Sequence, residues 1–516
     1  MSARAVLLTA LPAAQAFVQD AETIFLQVEV KVATALAELP AEMIAPGFRA
    51  QAVRSLLSLA TLCAVLWCVE MLGLSCSIRR SGQWVYVGSC LLVAMGQSML
   101  LTVSLPLATV LTYSAAASGF LASTTSLGGL LAQLLAASSW STLGCQPYWL
   151  LRSSMVATTF LHLFFHGLFV GALCLPLSAT SLWWCLVVSR TLAGFFAALS
   201  CLSASFLAFA VTPQGELLNL QTSVQGAYGA GQCLGNMLAS SAIVFFQISG
   251  ESPGQVLAEG AAPVLMFTFA IALLLATSVL FVPRAQLADQ VPPVVDGATE
   301  SISNTKQHSE LGSLEVCERK GIFRNAVIYN FERTFSVASI EVATTMISQV
   351  EFGFSTVMTG WIFGLIAIGS LLANVIVAFT PSNTDLRICM MVCFAAVGVV
   401  TTPFLLDWWP WWTLYVADAL MMTMTNAANG ISDGVALLAA TGVQDLSRES
   451  FINQKMLSMA AAKVIAAPLA RGLLPWLGRN GYGALQTIVS LAGFLGIWKM
   501  YCMAGSREQQ ENSQKE

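Results

Sequence analysis

The chain is a run of long apolar stretches cut by short polar ones. Apolar segments lie near residues 55–77, 84–112, 115–139, 151–175, 181–211, 220–247, 261–283, 326–350, 356–379, 386–406, 411–440, 453–477 and 481–503. A helix rising about 1.5 Å per residue needs about 20 apolar residues to cross a hydrocarbon core about 30 Å thick, and each segment is that long. One polar interruption is much longer than the rest: residues 284–320 hold Pro292, Pro293, a Ser/Thr/Asn stretch and ten charges from Arg284 to Lys320. It reads as a flexible linker. Six segments lie between residue 84 and the linker, and six follow it. The pattern therefore predicts an all-α polytopic membrane protein with 12 transmembrane helices in two six-helix bundles, plus an extra N-terminal helix at 55–77. The expected organisation is an extension at 1–80, a first bundle at 81–283, a linker at 284–320, a second bundle at 321–505 and a polar tail at 506–516.

Composition agrees with this reading. Apolar residues make up 56% of the 516 positions and charged residues only 10%, with a mean hydropathy of +0.74. A soluble domain carries roughly 25% charged residues, so this chain cannot clothe its surface with charge. A soluble enzyme and a disordered chain are excluded. The net charge of −4 comes without a basic patch, which removes the electrostatic footprint of nucleic-acid binding. Nine of the 13 cysteines (Cys63, Cys68, Cys90, Cys174, Cys185, Cys201, Cys233, Cys389 and Cys393) fall in apolar runs without metal-ligand spacing, as small buried hydrophobes do.

Orientation follows the positive-inside rule. With a cytoplasmic linker, the cytoplasmic loops hold Arg79, Arg80, Arg152, Arg284, Lys306, Arg319, Lys320, Arg324, Arg387, Arg448, Lys499, Arg507 and Lys515, against Arg479 on the other side. Trp84, Tyr86, Tyr148, Trp149, Trp183, Trp184 and the run Trp408-Trp409-Pro410-Trp411-Trp412 sit where interfacial anchors belong. At the N-terminus, Arg4 precedes an apolar run that ends in Ala14-Gln15-Ala16, the layout of a secretory signal peptide. Residues 55–77, followed by Arg79-Arg80, could then act as a stop-transfer helix. Asp20, Glu22, Glu29, Glu38 and Glu42 speak against a transit peptide. A cleaved segment, an extra span and a surface-lying helix all remain open for residues 1–80, as do the endomembrane, plastid and plasma membranes.

Ionisable residues inside spans are costly and face bundle interiors, so each is a functional candidate. They are Glu70, His162, His166, Arg190, Glu332, Arg333, Glu341, Asp418, Asp433, Lys463 and Arg471. Arg190 lies nine residues into its segment, roughly 13 Å deep, too far to snorkel. It needs a partner or a wet cavity. An Arg followed four residues later by Gly194 in the fourth span of a six-span half resembles the signature of the major facilitator superfamily. The fifth span is glycine-rich in the same manner, with Gly226, Gly229, Gly231 and Gly235. Two positions depart from that pattern: the loop 140–148 lacks the family's acidic and basic residues, and Asn236 stands where antiporter-like members place Pro. In the second half, Glu332-Arg333, Glu341, Phe352-Gly353-Phe354-Ser355, Asn374, Asn453, Leu457, Ser458 and Val464-Ile465-Ala466 are similar to the membrane part of SPX-type vacuolar phosphate transporters and their lysosomal relatives.

At about 100° per residue, Glu332 and Glu341 point to opposite sides, whereas Arg333 and Glu341 can share a face. Lys463 lies near mid-depth, roughly 15 Å into its helix, and Glu341 lies past the midplane. Mid-depth cations from each half, Arg190 and Lys463, are what an anionic substrate needs at the interface of two repeats. Gln97, Gln225, Tyr228, Asn374, Asn426 and Asn429 would complete the substrate site, and Glu341 or Asp418 would carry a coupling proton. Alternatively Lys463 pairs with Asp418 or Glu341 and only holds helices together. His162 and His166 share a helix face, but no carboxylate or thiol joins them there, so helix-contact hydrogen bonds are expected rather than a metal. Asp433, Asp445 and Arg448 suggest an ion pair or gate near the linker side.

The expected function is a secondary transporter working by alternating access, with protons and an anion such as phosphate as its finer features and symport as its mode. No P-loop is present to hold ATP, and no cofactor is expected. The expected partners are a small solute, protons and the lipid bilayer, with a single chain as the working unit. A transporter-like receptor or scaffold, or a polytopic membrane enzyme, are the alternatives. No His-Glu-x-x-His supports the enzyme, and only three histidines are present in all, one of them in the linker.

Overall fold

The computed structural model describes residues 78–112, 115–137, 148–172, 178–212, 217–245, 264, 268–276, 279–281, 314–380, 384–440, 446 and 448–513. The N-terminal extension with its 55–77 segment, most of the linker, the 140–147 loop and the end of the tail lie outside the described residues.

Apart from short turns, these residues are helical. The helices are α1 (Ile78–Thr112), α2 (Ala115–Ala137), α3 (Tyr148–Ala172), α4 (Ala179–Val211), α5 (Leu217–Phe245) and α6 (residues 268–276) in the first half. In the second half come α7 (Val316–Met346), α8 (Thr356–Phe379), α9 (Thr384–Thr401) and α10 (Trp411–Ala440). The last stretch, Arg448–Ser513, is two helices, because Gly478 at φ +59° and ψ −164° breaks it. Residues 448–477 form α11 and residues 479–513 form α12. A left-handed φ costs glycine nothing, and Pro475 just before it weakens the α11 hydrogen-bond ladder.

Seven stretches among the described residues are long and apolar enough to cross a membrane. The last, Ser450–Ala504 at 55 residues, is long enough for two crossings. The long helices α5, α7 and α10 are not in that set. They carry much of the buried polarity instead: Gln221, Gln225, Gln232 and Asn236 on α5, Glu332, Arg333 and Glu341 on α7, and Asp418, Asn426, Asn429 and Asp433 on α10. A helix that is polar on one side can lie inside a bilayer only if neighbouring helices cover that side. Those three helices meet at the interface between the halves.

Close approach between helices is set by glycine. A Cβ on Gly128 of α2 would lie 1.9 Å from the Thr191 carbonyl oxygen of α4, and one on Gly194 would lie 2.1 Å from the Thr125 carbonyl oxygen. The spacing from Arg190 to Gly194 thus has a packing reason: Gly194 lets α2 and α4 touch backbone to backbone. Between the halves, Gly119 of α2 meets the Ala467 backbone of α11, and Gly360 of α8 meets Ser240 of α5. Lipid tails are as apolar as leucine, so such contacts gain from dispersion and hydrogen bonding rather than from expelling water. The exposed side chains fit this environment, with Trp84, Phe164, Leu365, Ile376, Phe379, Ile488 and Leu495 all more than half exposed.

Candidate functional site

The antiparallel pair α7 and α10 is tied by a ladder of polar contacts. Asn330 donates to Asp433 (2.6 Å), Arg333 Nε to the Asn426 Oδ1 (2.6 Å) and Thr344 to Asp418 (2.7 Å), and Ser348 meets the Tyr415 hydroxyl (2.8 Å). Helical periodicity brings these residues onto one face of α7, because they follow one another at intervals of three, four or eleven. The ladder places Arg333 beside the first half. Its Nη2 donates to the Gln225 Oε1 of α5 (3.2 Å), and its guanidinium lies 5.1 Å from the Tyr228 ring centre.

Lys463 approaches the same ring from α11. Its Nζ donates to the Tyr228 hydroxyl (2.6 Å) and to the Gln97 Oε1 of α1 (3.0 Å), and stands 5.0 Å from the ring centre. Tyr228 therefore sits between two cations from the second half, both attracted to the negative face of an aromatic ring. Every hydrogen-bond partner of Arg333 and Lys463 among the described residues is neutral. Neither cation forms an ion pair there.

A cavity of about 180 Å³ opens beside this cluster. It is walled by α1, α2, α4 and α5 from the first half and by α11 from the second. Gln97, Thr125, Tyr228 and Lys463 stand at mid-helix, and Tyr86, Gln133, Gln221, Phe451 and Lys455 lie nearer the ends where α1, α5 and α11 begin. The cavity therefore runs from the middle of the bundle toward the linker side. Among the described residues its charged lining is Lys455 and Lys463, with no carboxylate, and much of the rest of the wall is apolar: Val93, Ala197, Ala198, Val224, Ile452, Met456, Met459 and Ala460.

The opposite end is held shut by Arg471, fully buried on α11. Its guanidinium donates to the hydroxyls of Ser118 on α2 and Ser104 on α1 and to the Val342 carbonyl oxygen of α7. At the linker side, Lys455 forms an ion pair with Asp433 and donates to the Gln221 Oε1 of α5 (3.1 Å).

The residues singled out in the sequence divide into groups. Lys463, Gln97 and Tyr228 meet directly, and Gln225 and Asn426 join them through Arg333. Glu341 lies behind the cavity wall, where it accepts from Gln232 of α5 and stays within range of the Lys463 and Arg333 charges. Asn429 donates to Asp433 (3.4 Å), away from the Tyr228 ring, while Asn374 donates to the Ser370 carbonyl oxygen within α8 (2.8 Å). Asp418 stays on the α7–α10 face, held by Thr344. Lys463 bonds to neither Asp418 nor Glu341. Glu332 faces away from the cavity, toward Gly493 of α12 and its own Ser336.

Arg190 is not in the main cavity. It lines a smaller cleft of about 50 Å³ within the first half, with His162, His166 and Thr268, separated from the main cavity by a shared wall of Val93, Gln97, Thr125 and Ala197. The two histidines make helix contacts, His162 Nδ1 to the Ala193 carbonyl oxygen (2.8 Å) and His166 Nε2 to the Thr268 hydroxyl (2.9 Å).

Sequence reasoning missed Gln232 and Lys455. Gln232 follows Tyr228 by four residues on the same face of α5, a spacing that was there to be read. Lys455, close to a helix start, has the look of an interfacial lysine, and its partner becomes visible only when α10 and α11 are packed.

Comparison with protein-family models finds no match, and comparison with curated protein sequences finds none. Solved structures are similar over most of the chain. The human organic anion transporter MFSD10 (TETRAN) is 15% identical, over 82% of this chain and 100% of that one, with a TM-score of 0.55. A bacterial homologue of the iron transporter ferroportin, in an outward-facing state, is 13% identical over 83% and 100%, with a TM-score of 0.56. The xylose transporter XylE from E. coli, in a partially occluded inward-open conformation, is 16% identical over 82% and 99%, with a TM-score of 0.54. The chain has the major facilitator fold, a polytopic membrane architecture.

Proposed function

We propose that this chain is a secondary transporter for a small organic anion, moved by rocking of the two halves around the Lys463 cavity. The observation that carries this reading is Lys463, a cavity-lining lysine whose partners among the described residues are neutral, whereas the other lining lysine, Lys455, is paired with Asp433. A fixed positive group in an apolar, low-dielectric pocket attracts an anion and repels a cation. The apolar walls favour a solute with a hydrocarbon or aromatic body beside its carboxylate or phosphate. The structural neighbours carry an organic anion, iron and a sugar in their names, so the substrate class rests on the cavity and not on them. Inorganic phosphate, suggested by the SPX-type similarity, belongs to the same test as the minimal anion.

Closure at Arg471 and a cavity reaching toward the linker side fit a linker-side-facing state. Alternation would break the α2–α11 and α5–α8 contacts there and form new ones at the Lys455 end. Glu341, bonded to Gln232 across the interface and near both cations, is placed to exchange a proton as the halves move. Arg190 and Asp418, which do not touch the main cavity, would act on it indirectly. Both sides of the cavity come from one chain, so a monomer suffices.

Uptake into proteoliposomes tests the reading with carboxylates, organic phosphates, inorganic phosphate, neutral sugars and amines. Saturable uptake of at least one anion class, lost in Lys463→Ala, is expected. Uptake of sugars or amines alone, or wild-type anion flux in Lys463→Ala, overturns it.

A further inference from the structure

Arg190 is 5% exposed, its Nε is buried without a hydrogen-bond partner, and among the described residues it forms no ion pair. Among the described residues its favourable contact is the Phe169 ring, 5.6 Å from the guanidinium carbon. A guanidinium cannot shed its proton in the way a lysine does, and an uncompensated charge inside a bilayer is strongly disfavoured. Something must balance it. Among the described residues, the cleft that it lines offers neither Asp nor Glu nor Cys. A metal cation would add a second positive charge beside the first, so the two histidines do not make this a metal site.

We propose that the Arg190 cleft is a second anion site, separate from the substrate cavity, that takes a small monovalent inorganic anion of the halide class. Size selects the ligand. The cleft holds about 50 Å³, and a single water needs roughly 10–15 Å³, so a monatomic anion with a few waters fits. A solute with an organic body does not. Leu92, Ile271 and Leu275 line the cleft alongside Arg190, and apolar walls favour anions that are weakly hydrated. Bromide and chloride are therefore preferred over fluoride.

The cleft also has a physical link to the substrate site. Gln97 lines both spaces, and its Oε1 accepts from Lys463 (3.0 Å). The same amide's nitrogen makes no hydrogen bond among the described residues, so it can serve an anion in the cleft that Gln97 lines. An anion held by Arg190 and this nitrogen fixes the Gln97 amide in the orientation that positions the Lys463 head group. The anion thereby acts as an activator of the Lys463 site without contacting the substrate.

The purified full-length protein tests this without any substrate. Thermal unfolding in detergent is compared in sodium chloride, sodium bromide and sodium gluconate at equal ionic strength. A saturable rise in Tm of several degrees with chloride and bromide over gluconate is expected, lost in Arg190→Gln and kept in Lys463→Ala. Ala272→Leu, which fills the cleft and leaves Arg190 in place, should also lose the rise, and it carries the test if Arg190→Gln does not fold. Equal Tm in the three salts overturns the proposal. So does a halide response of wild-type size in Ala272→Leu or Arg190→Gln, and a response lost in Lys463→Ala alone would place the ion in the main cavity instead. Failure of anion uptake would count against the transport reading and leave this measurement unaffected.

Discussion

Lys463 of the second half donates to the Tyr228 hydroxyl of the first at 2.6 Å, across the interface along which the halves must move. The contact joins a hydrogen bond to a ring–cation contact, since Arg333 approaches the same ring. Tyr228→Phe separates the two components. Phenylalanine keeps the ring and removes the donor-acceptor oxygen, and a hydrogen bond to a charged group is worth about 1.5–3 kcal/mol. Anion KM in proteoliposomes is expected to rise about tenfold or more with the maximum rate nearly kept, whereas Tyr228→Ala, which also exposes Arg333, loses uptake. An unchanged KM in Tyr228→Phe would show that the hydroxyl has no part in positioning Lys463.

Glu341 lies within electrostatic range of both cations, and it reaches α5 through Gln232. Glu341→Gln preserves shape and removes the titrating proton. Accumulation driven by a pH gradient should disappear in this variant while counterflow, which needs no net proton movement, continues. Asp418→Asn serves as the comparison, because Asp418 is held by Thr344 on the α7–α10 face. If Asp418→Asn abolishes driven accumulation and Glu341→Gln does not, the coupling group lies outside the interface.

Gly128 and Gly129 are neighbours on α2 with opposite expectations. A Cβ at Gly128 would overlap the Thr191 carbonyl at 1.9 Å and crowd the Phe195 nitrogen at 2.7 Å, both backbone atoms that cannot swing away. A Cβ at Gly129 would meet the Ala198 Cβ at 3.6 Å, an ordinary contact. Gly128→Ala should cost about 1–3 kcal/mol through forced separation of α2 and α4. Gly129→Ala should be neutral or stabilising by up to about 1 kcal/mol through helix propensity. Thermal unfolding in detergent distinguishes them, and similar effects from both would mean that α2 and α4 are not in backbone contact.

Much of the architecture was legible because membrane helices announce themselves by length. The apolar segments from 84 to 139 overlap α1 and α2 closely, and Gly194 four residues after Arg190 pointed to a resemblance whose fold the chain has. Residues within a site were harder to read. Depth along a helix can be counted from its end, which put Arg190 and Lys463 at similar levels. Azimuth relative to neighbouring helices cannot be counted, and it is azimuth that turns Arg190 into the cleft and Arg333 onto Tyr228. Where two candidates shared one helix the geometry could be worked out, and Glu332 and Glu341 do face different ways. Lys455 escaped notice because its partners, Asp433 and Gln221, come from two other helices.

The Lys455–Asp433 pair makes its own test, because Asp433 is fully buried and accepts from Asn330 as well. Removing one member of a buried pair leaves the other charge uncompensated and costs about 3–5 kcal/mol, whereas replacing both members can be nearly neutral. Lys455→Met leaves the Asp433 carboxylate without its counter-charge, and Asp433→Asn leaves the Lys455 ammonium without one, with Gln221 and the new amide as neutral acceptors. Each single variant should lower the unfolding temperature markedly, and the double variant should recover most of the loss, a coupling that a double-mutant cycle measures directly. The transport readout should separate from the stability readout. Lys455 also lines the cavity, so the double variant is expected to regain its fold and still show weakened anion uptake. Additive losses in the cycle would mean that the two side chains are not paired in the membrane, and full uptake in the stable double variant would remove Lys455 from the substrate path.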